Sequence, residues 1–405
     1  MTSAWRTHSF EVTGLGRGVA GLCPATTDDR PRWFMTTCDG LLLGIDADDG
    51  RRFFELQLPL TFAVANSAEM VASPDGRFVA VVPRVGLQGA LVDTDTGTVV
   101  KTLERTDYHA NLSGWALAIV RRGARDVLIS AVAWNQLEAV ELPSLTMRVP
   151  DPNAPTRSAG DLDYFYGLLS ASPSGQRLTT SGWHWHPVGS LNLFEVDPWL
   201  HARGWPEMKS IAMSEWWDSE VCWVDEQQLA LFGDQSDGSE EFGEGVPYFN
   251  QQTGIALFDA QRCQLKAFLP DVTGRALGSD GARLYVLGDT TRAYSLEGRE
   301  WLEPFAGPTD AWHRGARVAL CCPALRGETG PCRVVWRASQ LPPVARESLQ
   351  QRALKLHQNL TTDGLRVLAD ALEELGVGGE AIEHCRQARP HGRRCWVVES
   401  LLTEP

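Results

Sequence analysis

Residues 68–105 read AEMVASPDGRFVAVVPRVGLQGALVDTDTGTVVKTLER. Four short β-type runs alternate here with turn signals. Met70–Ala72 leads into the turn Ser73-Pro74-Asp75-Gly76, and Phe78–Val82 runs to a loop at Val85–Gly89. Ala90–Asp93 then meets the turn Asp95-Thr96-Gly97, and Thr98–Leu103 closes the unit. Glycine supplies the positive φ that tight turns need, and β-branched residues fit a pleated surface. The unit is therefore an antiparallel sheet of four strands, about 40 residues long.

Two marks of this unit recur along the chain. The first is a turn leading into an apolar run: Arg30-Pro31-Arg32, Asp75-Gly76-Arg77, Gly123-Ala124-Arg125, Ser174-Gly175-Gln176-Arg177, Asp225-Glu226, Gly281-Ala282-Arg283 and Gly315-Ala316-Arg317. The second is a later strand, often with an acidic end, at Gly44–Asp46, Leu91–Asp93, Val140-Glu141, Phe194-Glu195, Leu257–Asp259, Tyr294-Ser295 and Val335-Trp336. The marks alternate strictly, at a spacing near the ~40–50 residues of a propeller blade. The expectation is an all-β, seven-bladed propeller, with six blades as the alternative count. Blades are expected near 18–58, 59–105, 106–151, 152–213, 214–271, 272–307 and 308–338.

The last blade lacks a fourth strand of its own, because Gln340-Leu341-Pro342-Pro343 follows its third, and proline cannot serve a sheet ladder. Thr7–Val12 has β character and precedes the first blade. An N-terminal strand joining the final blade would close the ring and protect its edges.

This pattern resembles the bacterial WD40-like β-propellers over roughly residues 1–339. The likeness rests on the SPDGR-type turn Ser73–Arg77, its copy Ser172–Arg177, and Asp95-Thr96-Gly97 with its copy Gln252-Thr253-Gly254. No Trp-Asp dipeptide stands at a strand end, since Trp217-Asp218 falls out of phase, and there is no Gly-His signature. The resemblance implies the fold and transfers no catalytic residue.

Composition changes after Pro343. Ala345–Asn359 and Asp363–Leu375 show helical spacing, with Leu365, Leu368, Ala369, Leu372 and Leu375 on one face. Thr362 is the expected N-cap and Gly376 the expected stop, with shorter helices over Glu380–Arg386 and Arg393–Leu402. The chain thus divides into a propeller over residues 1–340 and a helical module over 341–405. The module resembles one found at the ends of planctomycete and myxobacterial proteins, through Leu368–Glu374, His384-Cys385-Arg386, Pro390-His391 and Arg394-Cys395-Trp396. That likeness implies an appended partner-binding piece.

Composition narrows the partners. The 405 residues carry a net charge of −14, which repels phosphate backbones and anionic membrane surfaces. There is no apolar run long enough to span a bilayer, and Met1–Gly14 lacks the apolar core of a secretion signal. Nine cysteines at irregular spacing do not form a disulfide framework, so a reducing cytoplasm is expected. Neither Cys321, Cys322 and Cys332 nor His384, Cys385, His391 and Cys395 shows paired zinc spacing, and both sets read as small buried hydrophobes. No nucleophile elbow, Walker loop or dinucleotide loop is present, and no cofactor is expected.

In a propeller, loops joining second to third strands share a face with loops joining one blade to the next. Four unusual segments fall on that face over the fourth and fifth blades: Asp161–Tyr166, Gly182–His186, Ser214–Asp218 and the insertion Gly233–Asn250. They nominate Tyr164, Tyr166, Trp183, His184, Trp185, His186, Trp216, Trp217 and Asp218 as binding residues, together with Asp234, Asp237, Glu240 and Glu241 of the insertion. Two readings of the tryptophans stand: a partner-binding surface, or packing between blades. The carboxylates read as a solvated acidic loop, and the Ca²⁺ pattern of an EF-hand is absent. Two function classes follow. One is a non-catalytic protein-interaction scaffold whose partner carries a basic patch. The other is a hydrolase or lyase using His184, His186, Asp218 and Glu220 on the same face or in the central channel.

Overall fold

The computed structural model describes residues 5–13, 15, 18–25, 31–60, 67–148, 156–157, 163–185, 188–233, 246–249, 253–281, 283–296, 304–314, 316–337, 343–358, 361–375, 379–386 and 395–402. Seven antiparallel sheets follow one another along the chain. The first blade comprises Val19–Pro24, Arg32–Thr37, Leu41–Asp46 and Arg52–Gln57, and the second Ala68–Ala72, Phe78–Pro83, Gln88–Asp93 and Thr98–Glu104. The third comprises Leu117–Arg122, Arg125–Ala133, Gln136–Leu142 and Thr146–Met147. The fourth is Phe165–Ala171, Arg177–His184, Val188–Glu195 and Lys209–Ser214, with the short parallel addition Tyr248–Phe249. Val221–Trp223, Gln228–Phe232, Ile255–Asp259 and Gln264–Leu269 make the fifth, and Ala276–Ser279, Arg283–Leu287, Thr290–Ser295 and Phe305–Ala306 the sixth.

The seventh blade takes Ala311–His313, Val318–Cys321 and Cys332–Arg337 from the end of the propeller sequence, and Trp5–Phe10 from its beginning. The closing pair is antiparallel, with Trp5 opposite Arg337 and Phe10 opposite Cys332. Each blade's first strand touches the first strands of its two neighbours, the seventh touching the first, so seven blades form a closed ring. The expected blade boundaries and the N-terminal closure hold, and the six-blade count falls away. The closing strand starts two residues earlier than its sequence suggested.

The turns behave as their residues dictate. Ser73 Oγ accepts from the Phe78 N–H at 2.9 Å and donates to Asp75 at 2.7 Å, while Gly76 takes φ 77°. Ser172 repeats the device, accepting from Arg177 N at 3.2 Å beside Gly175 at φ 69°. A short helix, Val196–His201, follows the third strand of the fourth blade and was not expected. It buries Trp199 against Phe194, with the Arg148 guanidinium 4.5 Å from the indole.

Four helices follow: Pro343–Gln358, Thr362–Glu374, Gly379–Arg386 and Trp396–Leu402. Pro343 opens the first of them, where its missing N–H costs nothing. The N-cap of the second is Thr361, one residue before the expected Thr362, and its side chain accepts from Gly364 N at 3.1 Å. Leu349, Ala353, Leu365, Leu368, Leu372, Ile382, Val397 and Val398 form an apolar core of their own. Among the described residues no helix is long and apolar enough to cross a membrane.

Candidate functional site

The site begins with one arginine. Arg105 follows the outer strand of the second blade, and its guanidinium donates to the carbonyls of Gly86 at 2.7 Å, Ala110 at 2.8 Å and Ser113 at 3.3 Å. It also lies 4.8 Å from the Trp115 ring. Burial lowers its pKa to about 10, so it stays charged at neutral pH. The loop from Arg105 to Trp115 is thereby wound around a cation, and it turns Tyr108 and His109 outward. His109 has φ 54°, a left-handed conformation that few side chains other than Asn, Asp and His adopt readily.

Across from this loop stands the first strand of the fourth blade. Its pairing slips between Phe165 and Leu168, and at Gly167 a Cβ would fall 1.9 Å from the Ser181 carbonyl oxygen. Only glycine fits a bulge that close to its neighbour. Phe165 is thus set directly opposite Trp183, and their rings stack at 3.9 Å with planes 9° apart. Both are buried, at 1% and 4% exposure. Trp134 lies 4.4 Å from Phe165, and Trp217 5.6 Å from Trp183. The outer layer is open: Tyr108 is 48% exposed and Trp185 47%, and the two stack on each other at 6.4 Å and on Phe165 at 6.0 Å. His109 stands edge-on to Trp185 at 5.2 Å.

The loop between the fourth and fifth blades locks the assembly from below. The Trp217 indole N–H donates to the Leu112 carbonyl at 2.9 Å, and the Trp183 N–H to Ser113 Oγ at 2.6 Å. Asp218, at φ 60°, accepts from Gly114 N at 2.7 Å. Its side chain is 10% exposed and lies 3.9 Å from Arg84, whose other nitrogen bonds Glu69 at 3.2 Å. Burial raises the Asp218 pKa. Glu69, the second residue of its strand, is pushed up to about 7, chiefly by burial, with Arg84 acting the other way.

Glu220 comes immediately before the first strand of the fifth blade. It is exposed at the edge of the cavity, and desolvation by the surrounding protein raises its pKa. Glu69, Arg84 and Glu220 line a cavity of about 510 Å³ formed by the first strands around the ring axis. Because first strands begin on the blade-to-blade side, these carboxylates stand at the mouth of the channel, on the aromatic face.

Several sequence expectations need correction. Tyr164 and Tyr166 are buried and belong to the core between the third and fourth blades, because strand alternation sends Phe165 to the aromatic cluster and its two neighbours the other way. The Tyr164 hydroxyl donates to the carbonyls of Thr180 at 3.0 Å and Ser190 at 3.1 Å. Trp183 is an anchor beneath the surface rather than a contact residue. Trp216 is partly buried and packs on the core between the fourth and fifth blades. Of the aromatic residues named from sequence, Trp185 is the open one, and Trp217 packs on the buried Trp183.

Of the four residues of the catalytic alternative, His184 engages the Asp163 carbonyl at 2.7 Å and Asp218 the Gly114 N–H, and among the described residues no hydrogen bond joins these two. His186, Asp234, Asp237, Glu240 and Glu241 lie outside the described residues. No cluster of three or more His, Cys, Asp or Glu side chains suited to a metal occurs among the described residues. Sequence reasoning missed Tyr108, His109 and Trp134. The available signal was a Tyr-His pair in a blade-to-blade loop that opens on Arg105 and closes on Trp115.

No family model and no curated protein matches the sequence. Solved structures with the same fold do. The WD40 domain of Neurospora crassa Pan2 superposes with a TM-score of 0.51 at 9% identity, over 84% of this chain and 98% of that one. The WD40 repeats of RRP9 give 0.54 at 9% identity, over 82% and 97%. Hydrazine synthase from Kuenenia stuttgartiensis gives 0.53 at 14% identity, over 81% and 97%. At these identities the likeness establishes a WD40-like β-propeller fold.

Proposed function

We propose that this chain is a non-catalytic, cytoplasmic interaction scaffold whose propeller face binds a protein partner carrying a basic patch. The observation that carries this reading is the pair Tyr108 and Trp185, half open to solvent and stacked over the buried Phe165–Trp183 pair. Rigid aromatic side chains give large contact area at small entropic cost, which is the usual composition of a binding face. Leu112, also exposed, extends the patch.

The rim supports a basic partner. Asp107, Asp163 and Glu215 are exposed around the aromatic patch, and Glu69 and Glu220 stand at the channel mouth. Carboxylates so placed attract lysine and arginine and repel phosphate, which favours a basic protein segment over nucleic acid or an anionic membrane. The acidic insertion carrying Asp234, Asp237, Glu240 and Glu241 is part of this proposal. In this reading residues 1–340 form the receptor, and residues 341–405 are an appended helical module of the kind its sequence resembles, engaging a second partner.

The test is capture from an extract of the source cells on immobilised protein, followed by identification of the retained chains. A Tyr108→Ala/Trp185→Ala double variant should retain at least tenfold less of the same partner, since central aromatic anchors are each worth about 2 kcal/mol. Its melting temperature should stay within a few degrees of the wild type. Undiminished capture by this variant would remove the face from consideration.

A further inference from the structure

The seventh blade holds a second feature that packing alone does not require. Its second and third strands pair with Val318 opposite Trp336 and Cys321 opposite Arg333. One residue further, the same register sets Cys322 against Cys332, while Phe10 of the closing strand faces Cys332 from the other side. Facing residues on antiparallel strands have Cα separations of about 4.5–5.5 Å, inside the span a disulfide bridges. Both thiols are free and buried, each within the other's electrostatic reach.

The two sulphurs are not equivalent. Interaction with Cys332, opposed by burial, holds Cys322 below the ordinary thiol range. Interaction with Cys322, and burial, hold Cys332 well above it. Of the two, Cys322 is the more readily deprotonated, and a second thiol faces it across the ladder. Nucleophilic sulphur beside a resolving thiol is the arrangement that peroxide chemistry uses. The Cys322 N–H donates to Asp310 at 2.7 Å, and Asp310 and Leu325 both line the central channel. Asp310 thus links the backbone of Cys322 to the channel wall.

We propose that Cys322 and Cys332 are a thiol modification site, closed to a reversible disulfide by hydrogen peroxide. The Cys322 thiolate attacks one peroxide oxygen; the S–O bond forms, the O–O bond breaks, and hydroxide leaves. Cys332 then attacks the sulphur of the resulting sulfenic acid. The S–S bond forms, the S–O bond breaks, and the departing oxygen leaves as water with the Cys332 proton. Two thiols lose two electrons and two protons, and one peroxide becomes two waters. A small dithiol reverses the reaction. The bond ties the second strand of the seventh blade to the third, the strand on which the closing strand Trp5–Phe10 pairs.

The experiment exposes the full chain to stoichiometric hydrogen peroxide, blocks remaining thiols, digests without reduction, and maps linked peptides by mass. Expected are a Cys322–Cys332 cross-link, a mass lower by about 2 Da, and return of all nine free thiols after reduction. Oxidised protein should melt a few degrees above reduced protein. Cys332→Ser should show no cross-link and should instead trap a sulfenic acid on Cys322 with a dione reagent. Cys385 and Cys395, both buried and electrostatically linked, serve as the internal comparison. Peroxide that leaves Cys322 and Cys332 alkylatable, or that links Cys385 and Cys395 alone, overturns the proposal. The mapping on the wild-type chain decides it even if the variant does not fold.

Discussion

Phe165 and Trp183 face each other across one register position and stack at 3.9 Å, with planes 9° apart. The pair divides the aromatic cluster into a buried floor and an open layer, and the two should respond differently to mutation. Trp183→Ala should cost roughly 3–5 kcal/mol, the scale of a large aromatic lost from a core. Trp185→Ala should cost less than about 1 kcal/mol, as surface substitutions do. Urea unfolding of the two variants measures the contrast. Equal losses would mean that Trp185 is structural as well.

Ring closure makes a second prediction. Deleting residues 1–14 removes the ladder from Trp5 to Phe10 and two buried aromatic side chains. The loss should reach several kcal/mol from burial and hydrogen bonds together. A melting temperature within a degree or two of the full chain would show that the seventh blade stands without its fourth strand.

Division of the chain between residues 340 and 341 is open to limited proteolysis. The helices carry a separate apolar core, and Pro343 begins the first of them. Cleavage near residues 339–347 should leave a folded propeller, visible as a resistant fragment with a cooperative melt. If a shortened protein ending at residue 340 is insoluble, the helices belong to the propeller core.

The pH dependence of stability should carry the signature of Glu69. Its folded pKa is raised from 4.5 to about 7, so between those values the folded chain keeps a proton that the unfolded chain has released. Stability then falls as pH rises through that window, and the loss is complete above about 7. Glu69→Gln removes this contribution. With part of the side chain facing channel water, the expected difference is about 1–2 kcal/mol between pH 5 and pH 8. Parallel stability curves for variant and wild type would place Glu69 in ordinary solvent.

What the sequence disclosed was local. Ser73–Arg77 announces its turn because glycine and the Ser and Asp side chains satisfy the backbone within five residues, and the prolines after the seventh blade announce a missing strand. What it concealed was assembled at a distance. Tyr108 meets Trp185 only because Arg105 gathers its loop and a bulge at Gly167 swings Phe165 outward. Tyr164 and Tyr166 looked like surface aromatics beside Asp161 and Asp163, yet period-two alternation buries both. The network of Glu69, Arg84 and Asp218 joins residues from two blades with no shared motif.

The closing strand has a consequence for synthesis. Trp5 leaves the ribosome well before its partner Arg337, which is made near the end of the propeller. At about 5–20 residues per second, the N-terminal segment waits on the order of tens of seconds for the strand it will pair with. Throughout that interval the nascent chain presents an unpaired edge at its growing end and an unplaced β segment at its start. Two such chains on one messenger could exchange these segments and finish as an interlocked dimer, the same seam sewn between molecules. The architecture that leaves the finished ring without a gap therefore makes timing part of its fold.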